Sequence, residues 1–421
     1  MLRPILVGVA FSLASPSLIS GVLVVDDAPG PGVTHTSLSI AASQASDGDT
    51  ILVRPGQYGP FTIDGKSLQL IADGASAQIA VGECRIQNLG AQQSVVVRGL
   101  FMTGALVGVP RLFIEECVGS VLIEDCDVHT AISAGAALWS ASTYVRDSQR
   151  VVFARCTLET GGGGGFFVTN LTGTFTGPHG LMARDSHIAL YDCVVRGTTS
   201  PKFGGQGGHG AHVLGGSLFA SGCSFSGGQG GIGGFTSTPF GPIIVPGGPG
   251  GDGIQLTASS SPAIGRFVDC TFDAGSGGAA GQGTFAGIPG QPWTTLQQAT
   301  ASFIAEPARS FDSTSPIHAG QSTTLTFTAP AGELVFTAAT LGMNPTYFNA
   351  LAGTLVPTVP FLFTTIGTVP ASGTLVLTLP LPILPPGTGA LSIAHQAVYG
   401  TSAGFARLGS PSTLVLLDPA Y

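Results

Sequence analysis

Five segments of this chain share one pattern, an alternating apolar run that closes on a cysteine: VLIEDCDV (121–128), VVFARCTL (151–158), IALYDCVV (188–195), LFASGCSF (218–225) and RFVDCTF (266–272). VVVRGLFM (95–102) is an earlier copy with Leu100 in the cysteine position. The cysteines lie 30, 37, 30 and 47 residues apart. Constant cores with unequal gaps are what stacked coils give when loops of different length are inserted between them. A second element precedes three of the segments: PHGLMAR (178–184), GHGAHVL (208–214) and GDGIQLT (251–257), with GAALW (135–139) as the rung before them. This alignment turns Leu181, Ala211 and Ile254 inward, and likewise Ala183, Val213 and Leu256. It places Met182, His212 and Gln255 in one outward column, His179, His209 and Asp252 in a second, and Trp139 and Arg184 in a third. Rungs are about 4.8 Å apart, so each column is a continuous strip.

The start of the chain fits such a stack. VLVVDD (22–27) reads as a strand, and in the next stretch Leu38, Ala41, Ala42 and Ala45 fall at i, i+3, i+4 and i+7, the stripe of one short helix. Thr36 or Ser37 can cap it. The helix, followed by GDTILVRPGQY and GKSLQLI (65–71), resembles the first coil of pectate-lyase-like right-handed β-helices, found in secreted bacterial proteins. The resemblance implies an all-β fold, a right-handed parallel β-helix (single-stranded, pectin-lyase-like) over 22–295. An open stack exposes unpaired edges and an apolar end, which a small amphipathic helix covers.

Three Gly-rich insertions, 160–178, 197–208 and 226–251, are expected to leave one side of the stack and pile beside each other without regular secondary structure. From about 303, short Thr/Leu/Val/Phe runs broken by Pro and Gly predict a small β-sandwich (Ig/FnIII-like) over 303–421. It resembles the C-terminal modules behind secreted bacterial β-helices, which implies capping of the open end of the helix or attachment outside the cell. Charged residues are only 9%, while 64 residues are glycine. Such a chain must rely on backbone ladders and stacked small side chains. With a net charge of −8 and no run of Lys or Arg, it lacks the basic stripe that nucleic-acid binding requires.

At the N-terminus, one arginine precedes an apolar stretch from Ile5 to Ala14, followed by Ser15, Ser17 and Ser20. This is the layout of a signal peptide over 1–21, too short to span a bilayer. The expected product is secreted or held at the cell surface, with no transmembrane segment in the mature chain.

Among residues that carry chemistry, Cys126, Cys156, Cys193, Cys223 and Cys270 are expected to form an inward ladder, with disulfides between neighbouring rungs left open. Cys84 and Cys117 fall outside that register and are the better disulfide candidates; without a CxxC, structural zinc is not expected. Asp125, Asp192 and Asp269 each precede a ladder cysteine and suit a turn. Glu124, Asp125 and Asp127 are the dense acidic cluster, a candidate calcium site; no other cofactor is expected. Trp293 is expected in the linker, packing the two domains together.

The GHG at 208–210 is similar to that of polygalacturonase-type glycoside hydrolases on this fold, whose His orients catalytic acids. Their paired aspartates and RIK-like segment have no counterpart in the repeat region, and two-carboxylate hydrolysis needs both acids. PHG and GDG occupy the same repeat position, so GHG reads more simply as a coil turn. A lyase needs a base and a cation for a uronate carboxylate. His179, Arg184, His209, His212 and Asp252 are the catalytic candidates, and the three histidines could also hold a transition metal. Trp139, Met182, His212 and Gln255 are the ligand-binding candidates, Trp139 through stacking on sugar rings. Three functions fit. The first is a non-catalytic extracellular protein that binds polysaccharide or a cell-surface glycan, adheres or builds the surface. The second is a polysaccharide lyase or glycoside hydrolase. The third is a self-associating structural protein whose Gly-rich loops pack between molecules.

Overall fold

The computed structural model describes residues 21–104, 109–130, 141–161, 176–200, 204–238, 241–281, 284–401 and 403–421. The leader, Trp139 with its rung GAALW, and most of the 160–178 insertion lie outside these residues.

Each coil of the described chain contributes one strand to each of three parallel faces. In the third coil these are Ser94–Arg98, Phe101–Met102 and Leu112–Glu115. The first face begins at Val22–Val25 and ends at Thr300–Ile304, which pairs in parallel with Ala263–Val268. The second runs from Gly56–Tyr58 to Thr271–Asp273, and the third from Phe61–Asp64 to Trp293–Leu296. His179–Tyr191 and Ala211–Ser221 are long enough to cross from the third face of one coil to the first face of the next. This is the parallel β-helix expected from the repeat, and parallel crossovers of this kind are right-handed in nearly all proteins. The last strand of the stack reaches Ile304. Trp293 therefore belongs to the final coil, paired with Ile254, and not to a linker between domains.

The corners explain the repeat. Between the first and second faces the chain turns through one residue with positive φ in successive coils: Gly99, Asp125, Arg155, Asp192, Gly222 and Asp269. Asp and Gly suit this left-handed backbone, which is why an aspartate so often precedes the ladder cysteine. The next residue turns inward: Cys126, Cys156, Cys193 and Cys223 are buried, and Leu100 continues the column. The backbone N–H of Leu100 donates to Cys126 Sγ at 3.5 Å, that of Cys156 to Cys193 Sγ at 3.5 Å, and that of Cys193 to Cys223 Sγ at 3.4 Å. All seven cysteines are free. The disulfide expected of Cys84 and Cys117 is absent because they occupy different corners. Cys84 stacks between Phe61 and Leu112, whereas Cys117 donates its thiol to the carbonyls of Ile86 and Glu115. Arg146 and Arg184 each contact the aspartate that follows them, Asp147 and Asp185, at 3.6 Å.

Helix Leu38–Gln44 covers the first coil with Leu38, Ala41 and Ala42 buried; Ser37 Oγ accepts from the Ile40 N–H, as the sequence predicts. Its C-terminal carbonyls are satisfied by Lys66, whose Nζ donates to Ala42, Ser43 and Ala45 at 3.3, 3.0 and 2.9 Å. At the opposite end Leu296 and Phe303 are exposed.

The C-terminal residues do not cap that end. A three-stranded antiparallel sheet (Ser310–Ser313, Ser322–Thr328, Thr374–Pro380) packs on a five-stranded sheet through Phe311, Phe327, Val335 and Tyr399. This two-layer module lies along the first face of the stack. Val356, Ala390, Val415 and Leu417 pack on the outward row Val24, Leu52, Ile71, Val96, Leu122, Val152 and Phe219. That row explains why first-face strands are apolar on both sides, as strands buried on both faces are.

The described residues of the second and third Gly-rich insertions are ordered, contrary to expectation. Gly227, Gly230 and Gly233 donate their N–H groups to the carbonyls of Asp273, Ser276 and Ala279. Gly247, Gly250 and Gly253 donate to Phe285, Ile288 and Gln291 in the same way, and Gly248 and Gly251 donate to Gly231 and Gly228 with the opposite sense. A step of three residues on both partners is the signature of extended, polyproline-II-type helices of three residues per turn. Segments around 197–200, 204–210, 227–234, 247–253, 274–281 and 285–292 thus form a bundle hydrogen-bonded laterally in both directions. Only glycine fits inside: a β-carbon on Gly208 would lie 1.8 Å from the Pro178 carbonyl oxygen, and one on Gly228 1.9 Å from that of Thr198. The hairpin Gly234–Thr238 with Gly241–Val245 joins two of these segments.

Candidate functional site

The registers align the candidate columns as the sequence predicts: Met182 with His212 and Gln255, and Leu181 with Ala211 and Ile254. The histidine strip is nevertheless not an outward surface. The glycine bundle leaves the stack at this point, and His209 and Asp252 retain only 3% and 6% of their exposure. His179 Nδ1 accepts from the His209 backbone N–H at 3.0 Å, His209 Nδ1 accepts from the Asp252 N–H at 2.9 Å, and Asp252 Oδ1 accepts from the Gln291 N–H at 2.8 Å. Each side chain of the column holds the backbone of the next coil. Accepting at Nδ1 leaves the proton of the neutral imidazole on Nε2 in both His179 and His209.

His179 and His209 stack at 5.1 Å between ring centroids, and His212 meets them edge-on at 5.2 and 5.6 Å. Burial depresses all three: His179 lies well below the ordinary histidine range, and His209 and His212 fall to about 4. For His179 and His212 the neighbouring rings add to the effect of burial. His212 Nε2 is enclosed without a hydrogen-bond partner among the described residues. Met182 is buried and Gln255 half-buried, so neither offers the open ligand surface expected of it. Arg184 is exposed and contacts Asp185. Trp139 cannot be placed beside them, because it lies outside the described residues.

The acidic cluster has a different membership from the one read in the sequence. Glu124 and Asp125 converge with Asp312 of the C-terminal module; Asp127 opens a second-face strand and does not join them. Alternation separates these neighbours. Two guanidiniums already serve the cluster: Arg98 lies 3.1 Å from Glu124 and 2.9 Å from Asp125, and Arg155 contacts Glu124 directly and Asp125 at 2.7 Å. Ser412 Oγ and the Thr413 N–H donate to Glu124 at 2.7 and 3.0 Å, locking the module to the stack. Burial pushes the Glu124 carboxyl up, against the pull of the two arginines.

A cleft that the sequence did not single out opens at the seam between the first face and the C-terminal module. Arg150, His187, Ser217, Phe219, Arg266 and Tyr347 line it. His187 pairs across coils with Ser217, and Phe219 with Arg266. An arginine at an outward repeat position, in a chain with so few charges, was the available signal. No helix among the described residues is long and apolar enough to cross a membrane.

Neither a protein-family model nor a curated protein matches the chain. Among solved structures it is similar, at 10% identity, to the enzymatically active domain of tailspike protein 4 of bacteriophage CBA120. The similarity covers 88% of this chain and 64% of that one, just under two thirds of its length, with a TM-score of 0.16. At that score the fold rests on the strand registers of this chain alone.

Proposed function

We propose that this chain is an exported, non-catalytic protein that binds polysaccharide at a cell surface. The observation that carries this reading is the use made of His179, His209 and Asp252. Their acceptor atoms hold backbone N–H groups of neighbouring coils, and a general base must instead reach its substrate's proton. Beside them the glycine bundle offers a side surface for contact. Ile232 and Ile244 are exposed there, with Phe285 at 84% and Ile288 at 72%, and clustered exposed apolar side chains mark interaction surfaces.

The test is incubation of the protein with a panel of acidic and neutral polysaccharides, with and without calcium. Absorbance of unsaturated uronates, reducing-end release and co-sedimentation are followed together. Binding without turnover is expected. Turnover that disappears in H209A and H212A variants, with the fold intact, would replace this reading with a lyase or hydrolase.

A further inference from the structure

Between Glu333 and Arg407 the chain carries no Asp, Glu, Lys or Arg. That stretch supplies two of the edge strands of the C-terminal module, and a strand at an edge needs a device against pairing with another chain. Three of the edges of its two sheets have one. Ser310–Ser313 faces the stack, where Arg155 and Arg98 donate to the Phe311 and Ser313 carbonyls at 3.0 and 2.8 Å. Ile317–His318 is two residues long. Leu362–Thr368 is broken by a register shift opposite Val335 and Phe336. The fourth edge, Thr374–Pro380, runs in unbroken register along Ser322–Thr328 and lies on the far side of its sheet from the stack-facing strand.

Only half of the backbone of this strand is used within the sheet. The Gly373 carbonyl accepts from the Ala329 N–H at 3.1 Å, and the Leu381 N–H donates to the Gln321 carbonyl at 2.8 Å. Bonding direction alternates along an antiparallel strand, so Leu375, Leu377 and Leu379 also bond inward, while Thr374, Val376 and Thr378 aim N–H and C=O away from the sheet. Of these outward groups the Thr374 carbonyl accepts from Ser372 Oγ at 3.2 Å. The side chains are sorted too. Leu375, Leu377 and Leu379 pack on the module core, whereas Val376 is 57% exposed on the opposite face.

We propose that Thr374–Pro380 pairs with the same strand of a second copy of this chain, antiparallel about a two-fold axis at Val376. In that register Val376 faces its mate and Thr374 faces Thr378, so each outward N–H meets a carbonyl. Pro380, which has no N–H to give, falls outside the pairing. Leu375 meets Leu377 on the core face, and the two sheets become one across the axis. An isologous contact sets each residue against its own kind of surface, so a charged edge would repel itself. In a protein of net charge −8, this charge-free edge is the one suited to meet its copy. The pairing does not depend on the polysaccharide-binding reading.

Sedimentation equilibrium of the full chain over a concentration series tests it. A monomer–dimer equilibrium is expected. V376K and V376E each set like charges against each other at the axis and should weaken the dimer about tenfold or more. An equal mixture of the two should restore it, because opposite charges then meet. T378P removes one outward N–H, spares the bonds to Ser322–Thr328 and should weaken the dimer as well. Melting curves show that each variant is folded; if T378P is not, the Val376 variants decide alone. A monomer throughout the series overturns the proposal. So does a dimer that folded V376K leaves intact, which would place the contact on another surface, and so does a mixture of V376K and V376E that stays as weak as either alone.

Discussion

Asp192 stands at a corner where the backbone needs positive φ (52°), with one carboxylate oxygen enclosed and unpartnered among the described residues. Burial raises its pKa to about 6. A raised carboxyl contributes stability below its unfolded value and loses it as pH rises through 6. Asparagine adopts the same backbone without the charge. D192N should therefore be more stable than the parent at pH 8 by about 2 kcal/mol, with the gain vanishing below pH 4. Urea midpoints at the two pH values check this, and an equal gain at both would refute it. His209 and His212 act in the opposite sense. With pKa values held near 4 by burial, their stabilising contribution is present above the unfolded value near 6.5 and is lost as pH falls toward 4. His179 and His395 are depressed by burial as well, so the histidines outnumber the raised carboxyls Asp192 and Glu124, and the melting temperature should fall between pH 7 and pH 4.5.

At the scale of elements, the glycine bundle is the part held most completely by backbone. Replacing Gly228 with alanine drives a β-carbon into the Thr198 carbonyl, with no flexible side chain to yield. G228A should cost about 3 kcal/mol, whereas Q229A, at the exposed neighbouring position, should be near neutral. Hydrogen exchange of the 197–292 amides in the two variants separates these outcomes. The coils were legible in the sequence because each repeats a period-two core and a left-handed corner, so the cysteines and the Leu181 and Ala183 columns could be aligned by eye. The bundle was not, since a three-residue helix with no internal hydrogen bonds leaves neither an apolar stripe nor alternation. The spacing of GG pairs in GGQGGIGG and GGPGGDG was its trace. The histidine column was aligned correctly and assigned the wrong environment, because sequence alone does not show that the insertions close over it.

For the whole molecule, the flank contact covers the apolar outer row of the stack. The outward row from Val24 to Phe219 would otherwise be a long apolar strip across neighbouring strands, and Glu124 would lose Ser412 and Thr413 as partners. Ending the chain after Ile304 should give a product that aggregates, read by light scattering against the full chain; a soluble, monomeric 1–304 would show that the module is dispensable. The sequence predicts a separate C-terminal module but not where it docks, since apolar residues on both sides of a first-face strand do not name their cover.

The glycine bundle has one more consequence. Its interior is specified by the absence of side chains, so the turns that join its segments, such as the Gly234–Val245 hairpin, are released from any duty to the core. Their length and chemistry can drift in a lineage while the support beneath them is inherited unchanged, which separates the evolution of what the protein meets from the evolution of how it folds.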